Sequence, residues 1–147
     1  MVIRKLMPAD YEEVLEMMLV FYASDALLVH PSEEVLRRTL SDALADTPYL
    51  TAYGFEEAGH LAGYGMVAHS YSTEAGGLCA WIEDIYIKPE YRGKGFGSSF
   101  LQFVEQRYRG RASRLRLEAE PENERAMAVY RKAGYEILGY TQLVKEL

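Results

Sequence analysis

The chain's hydrophobic patterns predict one mixed α/β domain over residues 1–147, with element order β-α-α-β-β-β-α-β-α-β. Three observations lead there. Runs with a period of two residues, at 2–6 and 113–119, alternate with runs of helical period, at 9–23 and 95–109. A loop with three glycines in five positions, Gly93-Lys94-Gly95-Phe96-Gly97, joins a strand-like run to a helix-like one. The length of 147 residues, 49% of them hydrophobic, suits one core, and neither a linker nor an internal repeat interrupts it.

Each element has a local reason. Residues 2–6 alternate and read as a first strand. Pro8 opens a helix over roughly 9–23: Val14, Met17, Met18 and Phe21 fall on one side, and Asp10, Glu12 and Glu13 suit its positive end. Residues 24–31 read as a loop or broken helix. Ser32, with Glu34 and Val35, starts a second helix that runs to about Leu44. Residues 49–73 read as two strands joined by a turn at 57–59. A long strand follows over 77–87, and Pro89 stops it. Gly95 to about Arg109 is a helix with Phe96, Phe100, Leu101, Phe103 and Val104 as apolar positions. Residues 113–119 alternate as a strand. A short helix follows, with Pro121 near its start and Gly134 as its cap. Residues 135–147 read as one or two closing strands. The strand–helix–strand unit in the centre needs a parallel crossover, whereas the earlier strands can pair antiparallel.

Composition excludes several classes. A net charge of −6 argues against a general nucleic-acid binder. The five arginines within 107–116 read as a solvated helix end and one strand face, with polyanion binding as the rival use. Cys79 is the single cysteine, so an intrachain disulfide and a cysteine-based metal cluster are both excluded and a reducing compartment is expected. It reads as a small strand residue, with no histidine near it in sequence. His30, His60 and His69 lack metal-ligand spacing, so no metal is expected. The first ten residues lack the apolar core of a signal peptide, and the apolar run at 17–23 is too short to cross a bilayer. The expectation is a cytoplasmic protein with no membrane contact.

The glycine loop carries the functional signal. A strand, a glycine-rich turn and a helix aim several backbone N–H groups and the positive helix end at one point, which suits a phosphate or pyrophosphate. Gly93, Gly95 and Gly97 let the anion approach, Arg92 and Lys94 add positive charge, and Ser98 offers a hydroxyl. The P-loop pattern G-x-x-x-x-G-K-[ST] does not occur. The dinucleotide pattern G-x-G-x-x-G fails in both registers, because its last glycine would fall on Ser98 or Phe100. What fits is Arg-x-x-Gly-x-Gly, from Arg92 through Gly95 to Gly97.

Two stretches in this order resemble the GNAT superfamily, the Gcn5-related N-acetyltransferases. Residues 83–101, EDIYIKPEYRGKGFGSSFL, resemble the family's strand, pyrophosphate loop and helix. Residues 123–136, NERAMAVYRKAGYE, resemble its later helix, with Asn123, Ala126 and Tyr130 at the family's spacing. The resemblance implies a sheet whose parallel central pair splays apart to form an acetyl-CoA cleft, the strand near Ile85 and Ile87 on one side and the 113–119 strand on the other. It implies that the pyrophosphate of acetyl-CoA lies on the amides from Gly93 through Phe96 to Gly97. The pantetheine arm would run along the strand edge at Ile85 and Ile87, bonded as a pseudo-strand. Asn123 would bond the arm or its neighbouring loop, with a helix N-cap as its other use.

The implied reaction is acetyl transfer to a primary amine, by direct attack in a ternary complex without a metal. The amine must lose a proton, the oxyanion needs a donor, and the leaving thiolate needs a proton. Glu83 is the expected base, directly or through a water, with Asp84 as second choice; strand alternation sets the two on opposite faces. A backbone N–H near Ile85 is the expected oxyanion donor, and Tyr130 the expected acid. As alternatives, Glu83 is a structural carboxylate and Tyr130 a core residue. Tyr22, Ser24, Asp25 and His30 lie where the family often builds its acceptor site. The acceptor is a small-molecule or protein amine, and a homodimer is expected from the family. A non-catalytic acyl-CoA-binding or sensing domain is the rival; it would keep the glycines without needing both Glu83 and Tyr130.

Overall fold

The sheet that organises this chain is built from local pairings and one crossover. The computed structural model describes residues 1–24 and 27–147. In chain order the elements are β1 (Val2–Lys5), α1 (Tyr11–Tyr22), α2 (Glu33–Leu44), β2 (Leu50–Glu57), β3 (His60–Ser72), β4 (Gly77–Ile87), α3 (Phe96–Tyr108), β5 (Arg114–Leu117) and α4 (Glu124–Lys132). Short 3-10 turns at Pro8–Asp10 and Pro89–Tyr91 precede α1 and the glycine loop.

The expected signals act where the sequence places them. Ser32 caps α2 by accepting from the Val35 N–H, and Asn123 caps α4 by accepting from the Ala126 N–H at 3.1 Å. The β2–β3 turn takes positive φ at both Ala58 and Gly59, as a two-residue hairpin of this twist requires. The strands lie in the order β1-β2-β3-β4-β5, the first four antiparallel and β4–β5 parallel. The parallel pair is joined through α3, the crossover expected from the pattern.

Two cores flank the sheet. On one face α1 and α2 bury Val14, Met18, Leu36 and Leu40 against Tyr64, Met66 and Tyr86. On the other, α3 buries Phe96, Phe100, Leu101 and Val104 against Phe55, Val67, Ala80 and Ile82. α3 lies so close to β3 that a Cβ on Gly65 would stand 2.5 Å from the Phe100 ring. That contact fixes the helix whose first turn follows the glycine loop.

The expected closing strands do not form. Residues 135–147 make no ladder among the described residues. The segment is tied by side chains instead: Tyr140 donates to Glu74 at 2.7 Å, and Gln142 donates to Glu118 at 2.6 Å. Beyond Tyr135, which packs against the α3-side core, its apolar residues find no covering face, and Leu143 and Val144 remain 95% and 86% exposed. Without a buried side to select one register, the β-like composition of this stretch does not specify pairing.

Candidate active site

The glycine loop divides its labour. Gly93 and Gly95 adopt φ of 80° and 86°, a left-handed backbone that any side chain would strain. They turn the chain from β4 into α3, with Gly95 as the helix N-cap. Gly97 is different. It lies inside the first helical turn, and a Cβ there would meet only the Ile87 Cδ1, at an ordinary 3.7 Å. The fold itself therefore leaves room for a side chain at Gly97. Phe96 is 2% exposed in the α3 core, so it offers a ligand only its backbone N–H. Arg92 turns back to donate from Nε to the Ile87 carbonyl at 3.0 Å, while Lys94 pairs with Glu57 and lies over the Tyr91 ring. Ser98 is exposed on the first turn of α3.

The sheet opens beside this loop. β5 pairs with β4 only from Cys79 to Ile82, opposite Arg114 to Leu117. From Glu83 to Ile87, β4 continues with no strand on that side. The Lys88 N–H bonds the Ala62 carbonyl of β3, and antiparallel pairs alternate between bonded and non-bonded. Tyr86 and Asp84 therefore face β3 with their backbone groups, while those of Ile85 and Ile87 point away from β3; the Ile87 carbonyl is taken by Arg92 Nε, which leaves the Ile87 N–H and both backbone groups of Ile85 on the open edge. This free edge is the feature that lets an extended ligand bond as an added strand.

A bulge sits at the mouth of the opening. Met66 pairs with Asp84 but Val67 pairs with Ile82, so Glu83 is the extra residue of β4. The bulge shifts the side-chain phase: Ala80 and Ile82 face α3 before it, Ile85 and Ile87 after it. Strict alternation from Ile82 to Asp84 therefore fails, since Ile82 faces α3 whereas Asp84 meets Tyr22 and Tyr64 on the other face. Glu83 is exposed, yet burial of its approach and the neighbouring charges of Asp84 and Glu118 hold its carboxyl above the usual range.

Asp84 is only 3% exposed beneath the α1 face. Its carboxylate accepts from the Tyr22 hydroxyl at 2.8 Å and the Tyr64 hydroxyl at 3.2 Å. Burial raises its pKa to about 6, and the two hydroxyls oppose the rise. The folded carboxyl thus keeps its proton to higher pH than an unfolded one at 3.8. The wild type is therefore favoured below pH ~4 and loses that advantage as pH rises to ~6. Asp84→Asn lacks the titration. Urea melts of both proteins at pH ~4 and ~8 should show their stability difference swinging toward the wild type in acid, by up to about 3 kcal/mol. A pH-independent difference would contradict the buried titration.

The other predicted residues are dispersed more widely. Tyr22 belongs to the Asp84 cluster, but Ser24 donates to the Phe21 carbonyl, and a ring nitrogen of His30 lies 2.6 Å from the Tyr22 carbonyl. Asp25 lies outside the described residues. Tyr130 packs against the α3-side core, edge-on to Tyr135 at 6.3 Å. Burial raises its pKa and keeps its hydroxyl protonated. The pairing of Trp81 with Arg116 went unread in the sequence. Its signal was available: Arg114 and Arg116 alternate with Leu115 and Leu117, and so face away from the α3 core.

Among the described residues no group of three or more His, Cys, Asp or Glu side chains could hold a metal, and no helix is long and apolar enough to cross a membrane.

Comparison with known proteins agrees with this geometry. A family model described as "Acetyltransferase (GNAT) family" matches residues 13–135. A thialysine N-epsilon-acetyltransferase from Bos taurus is 38% identical over 112 residues, which cover 70% of this chain and 64% of that protein. The protein of the same name from Sus scrofa is 32% identical over 143 residues, covering 90% of this chain and 82% of its own length. A crystal structure of a possible acetyltransferase from Clostridium difficile 630 superimposes with a TM-score of 0.84 at 19% identity, covering 99% of this chain and 97% of that one. The extent of the family match, with the glycine loop and the opened parallel pair, means that the chain belongs to the GNAT acetyltransferase family.

Proposed function

We propose that this protein transfers the acetyl group of acetyl-CoA to a primary amine. The observation that carries the reading is the β4 edge that β5 leaves uncovered beyond Ile82, with the Ile85 backbone groups and the Ile87 N–H open, ending in a glycine loop at a helix N-terminus. The edge suits an extended pantetheine arm, and the loop amides suit a pyrophosphate. Ile85, Ile87, Arg92, Gly93, Lys94, Gly95, Phe96, Gly97, Ser98 and Asn123 form the binding path on this reading. Asn123 spends its carbonyl oxygen on the α4 cap, which leaves its amide N–H groups for the arm or loop.

The reaction then follows from the two faces of the opening. The acceptor nitrogen needs a free lone pair, so Glu83 takes a proton from the ammonium, directly or through a water. The nitrogen attacks the thioester carbon, and its carbonyl oxygen becomes an oxyanion near the Ile85 N–H. As the carbon–sulfur bond breaks, Tyr130 gives its proton to the sulfur, the nitrogen loses its second proton to water, and water reprotonates the Tyr130 phenolate. The products are the N-acetylated amine and free CoA. Glu83 shares its surroundings with Asp84 and Glu118, whereas Tyr130 approaches among the α3-side residues. On this reading base and acid act from different sides of the thioester, the amine on one and the leaving sulfur on the other. On this reading the protein works in the cytoplasm, where the lone Cys79 thiol stays reduced.

Release of free thiol from acetyl-CoA across a panel of amines tests the activity. Gly97→Val tests the binding path. The new side chain has room on the Ile87 side but stands where the pyrophosphate would approach. CoA affinity by calorimetry should weaken by a few kcal/mol, as for a lost set of charged hydrogen bonds. Unchanged affinity in a folded Gly97→Val protein would remove the loop from the site.

A further inference from the structure

Asp84 is the only charged side chain buried among the described residues, and the reaction proposed above leaves it unused. A carboxylate taken out of water is costly unless a cation or several donors meet it. Asp84 meets only two neutral hydroxyls, those of Tyr22 from α1 and Tyr64 from β3. The core on that face is otherwise apolar or phenolic, from Met18 on α1 and Leu40 on α2 to Tyr86 on β4. His30 approaches the Tyr22 carbonyl and not the carboxylate. Among the described residues no lysine, arginine or histidine bonds Asp84 or shifts its titration. An asparagine would fill the same volume without the charge, so packing alone does not call for a carboxylate here.

What sets Asp84 apart is its neighbour. Glu83, the extra residue of the bulge, precedes it directly. Two carboxyl groups are thus joined through one peptide bond, one exposed at the mouth of the opening and the other buried beneath Tyr22. A charge surrounded by protein acts on its neighbours more strongly than the same charge in water. After burial, the Asp84 charge is the next cause that holds the Glu83 carboxyl up, and Glu118 on the β5 side follows. A carboxylate that holds a proton more firmly draws one from an ammonium more readily, provided it is ionised at the working pH. The Tyr22 and Tyr64 hydroxyls serve the same end, because bonds to the charged form favour it.

From this arrangement we infer that Asp84, held by the Tyr22 and Tyr64 hydroxyls, is a positioning residue that acts through Glu83: its buried charge strengthens the neighbouring carboxylate as a base. The inference rests on the acetyl-transfer reading, with Glu83 as the base, and deepens it. Asp84 itself takes no proton from the acceptor. The ammonium proton passes to Glu83 and from there to water.

The test is the pH profile of kcat/KM, read as thiol release from acetyl-CoA with the amine of the panel that reacts fastest. Asp84→Asn keeps the shape of the side chain and removes its charge. It should lower kcat/KM by roughly 3- to 30-fold at pH ~8, a part of what loss of Glu83 itself costs, with CoA affinity unchanged. The deficit should close as pH falls through about 6, where Asp84 takes up a proton in the wild type and the two proteins become alike. That sense is opposite to Glu83→Gln, whose deficit shrinks as pH rises. Tyr22→Phe keeps the charge but removes a hydroxyl that favours it, so its rate should begin to fall at a higher pH than in the wild type. In a Glu83→Gln background Asp84→Asn should cost nothing further, because its effect passes through Glu83. Melting temperatures on the same preparations separate lost tuning from lost folding. An Asp84→Asn deficit that is the same at every pH, or that persists in full on top of Glu83→Gln, makes Asp84 a packing residue and overturns the inference while acetyl transfer stands. Where Asp84→Asn does not fold, an unmoved profile in folded Tyr22→Phe overturns it equally. A wild-type rate for Glu83→Gln removes the base and this inference together, again leaving acetyl transfer in place. No thiol release with any amine, together with no CoA binding, removes the acetyl-transfer reading itself.

Discussion

Glu83→Gln should lower kcat/KM by roughly 10²–10⁴ at neutral pH, the loss expected for removal of a general base. The substitution keeps size and hydrogen-bonding atoms but cannot accept the amine proton. The pH profile makes the assignment specific. Burial and the nearby Asp84 and Glu118 raise the Glu83 pKa, so the acid limb of the wild-type profile should lie above the ordinary glutamate range. That limb should disappear in Glu83→Gln. The deficit should also shrink as pH rises, because more of the acceptor is already a free amine. Asp84→Asn provides the contrast. Asp84 is buried and engaged by Tyr22 and Tyr64, so it has no direct path to an acceptor amine. A wild-type rate for Glu83→Gln across the whole range would mean that deprotonation occurs in solution or at another residue.

What the sequence could show of this arrangement depends on the range of the interaction. The caps at Ser32 and Asn123, the stop at Pro89 and the glycine turn are local, and each formed where its own residues require. The bulge at Glu83 is not local. It arises because β4 slips by one residue against β3, and no property of the pentapeptide Trp81–Ile85 announces that. Alternation therefore does not carry through from Ile82 to Asp84, and the face of Asp84 could not be read from the strand pattern alone. The Tyr22–Asp84 bond likewise joins residues 62 apart, and the Tyr64–Asp84 bond residues 20 apart. Trp81 and Arg116 become neighbours only through the parallel register. The 135–147 segment shows the opposite failure: its β-like composition is clear, but beyond Tyr135 no face of the domain covers its apolar residues.

Tyr130→Phe should lower kcat by about 10²-fold or more while leaving acetyl-CoA affinity near that of the wild type. The hydroxyl is proposed to act only as the carbon–sulfur bond breaks, so its contribution belongs to the transition state and not to the bound ground state. The substitution keeps the ring, which packs on the α3 side and meets Tyr135 edge-on at 6.3 Å. A core tyrosine predicts a different result: a shift in melting temperature with near-normal turnover. The raised pKa of the buried phenol agrees with either role, because both need it protonated at neutral pH. Kinetics must therefore decide, with kcat, CoA affinity and melting temperature measured on the same preparation. A variant that melts early but turns over normally would make Tyr130 a packing residue. The proton would then come from water or from Tyr135, whose buried hydroxyl has no partner among the described residues. Tyr135→Phe measured alongside separates those two sources, since water would leave its kcat unchanged.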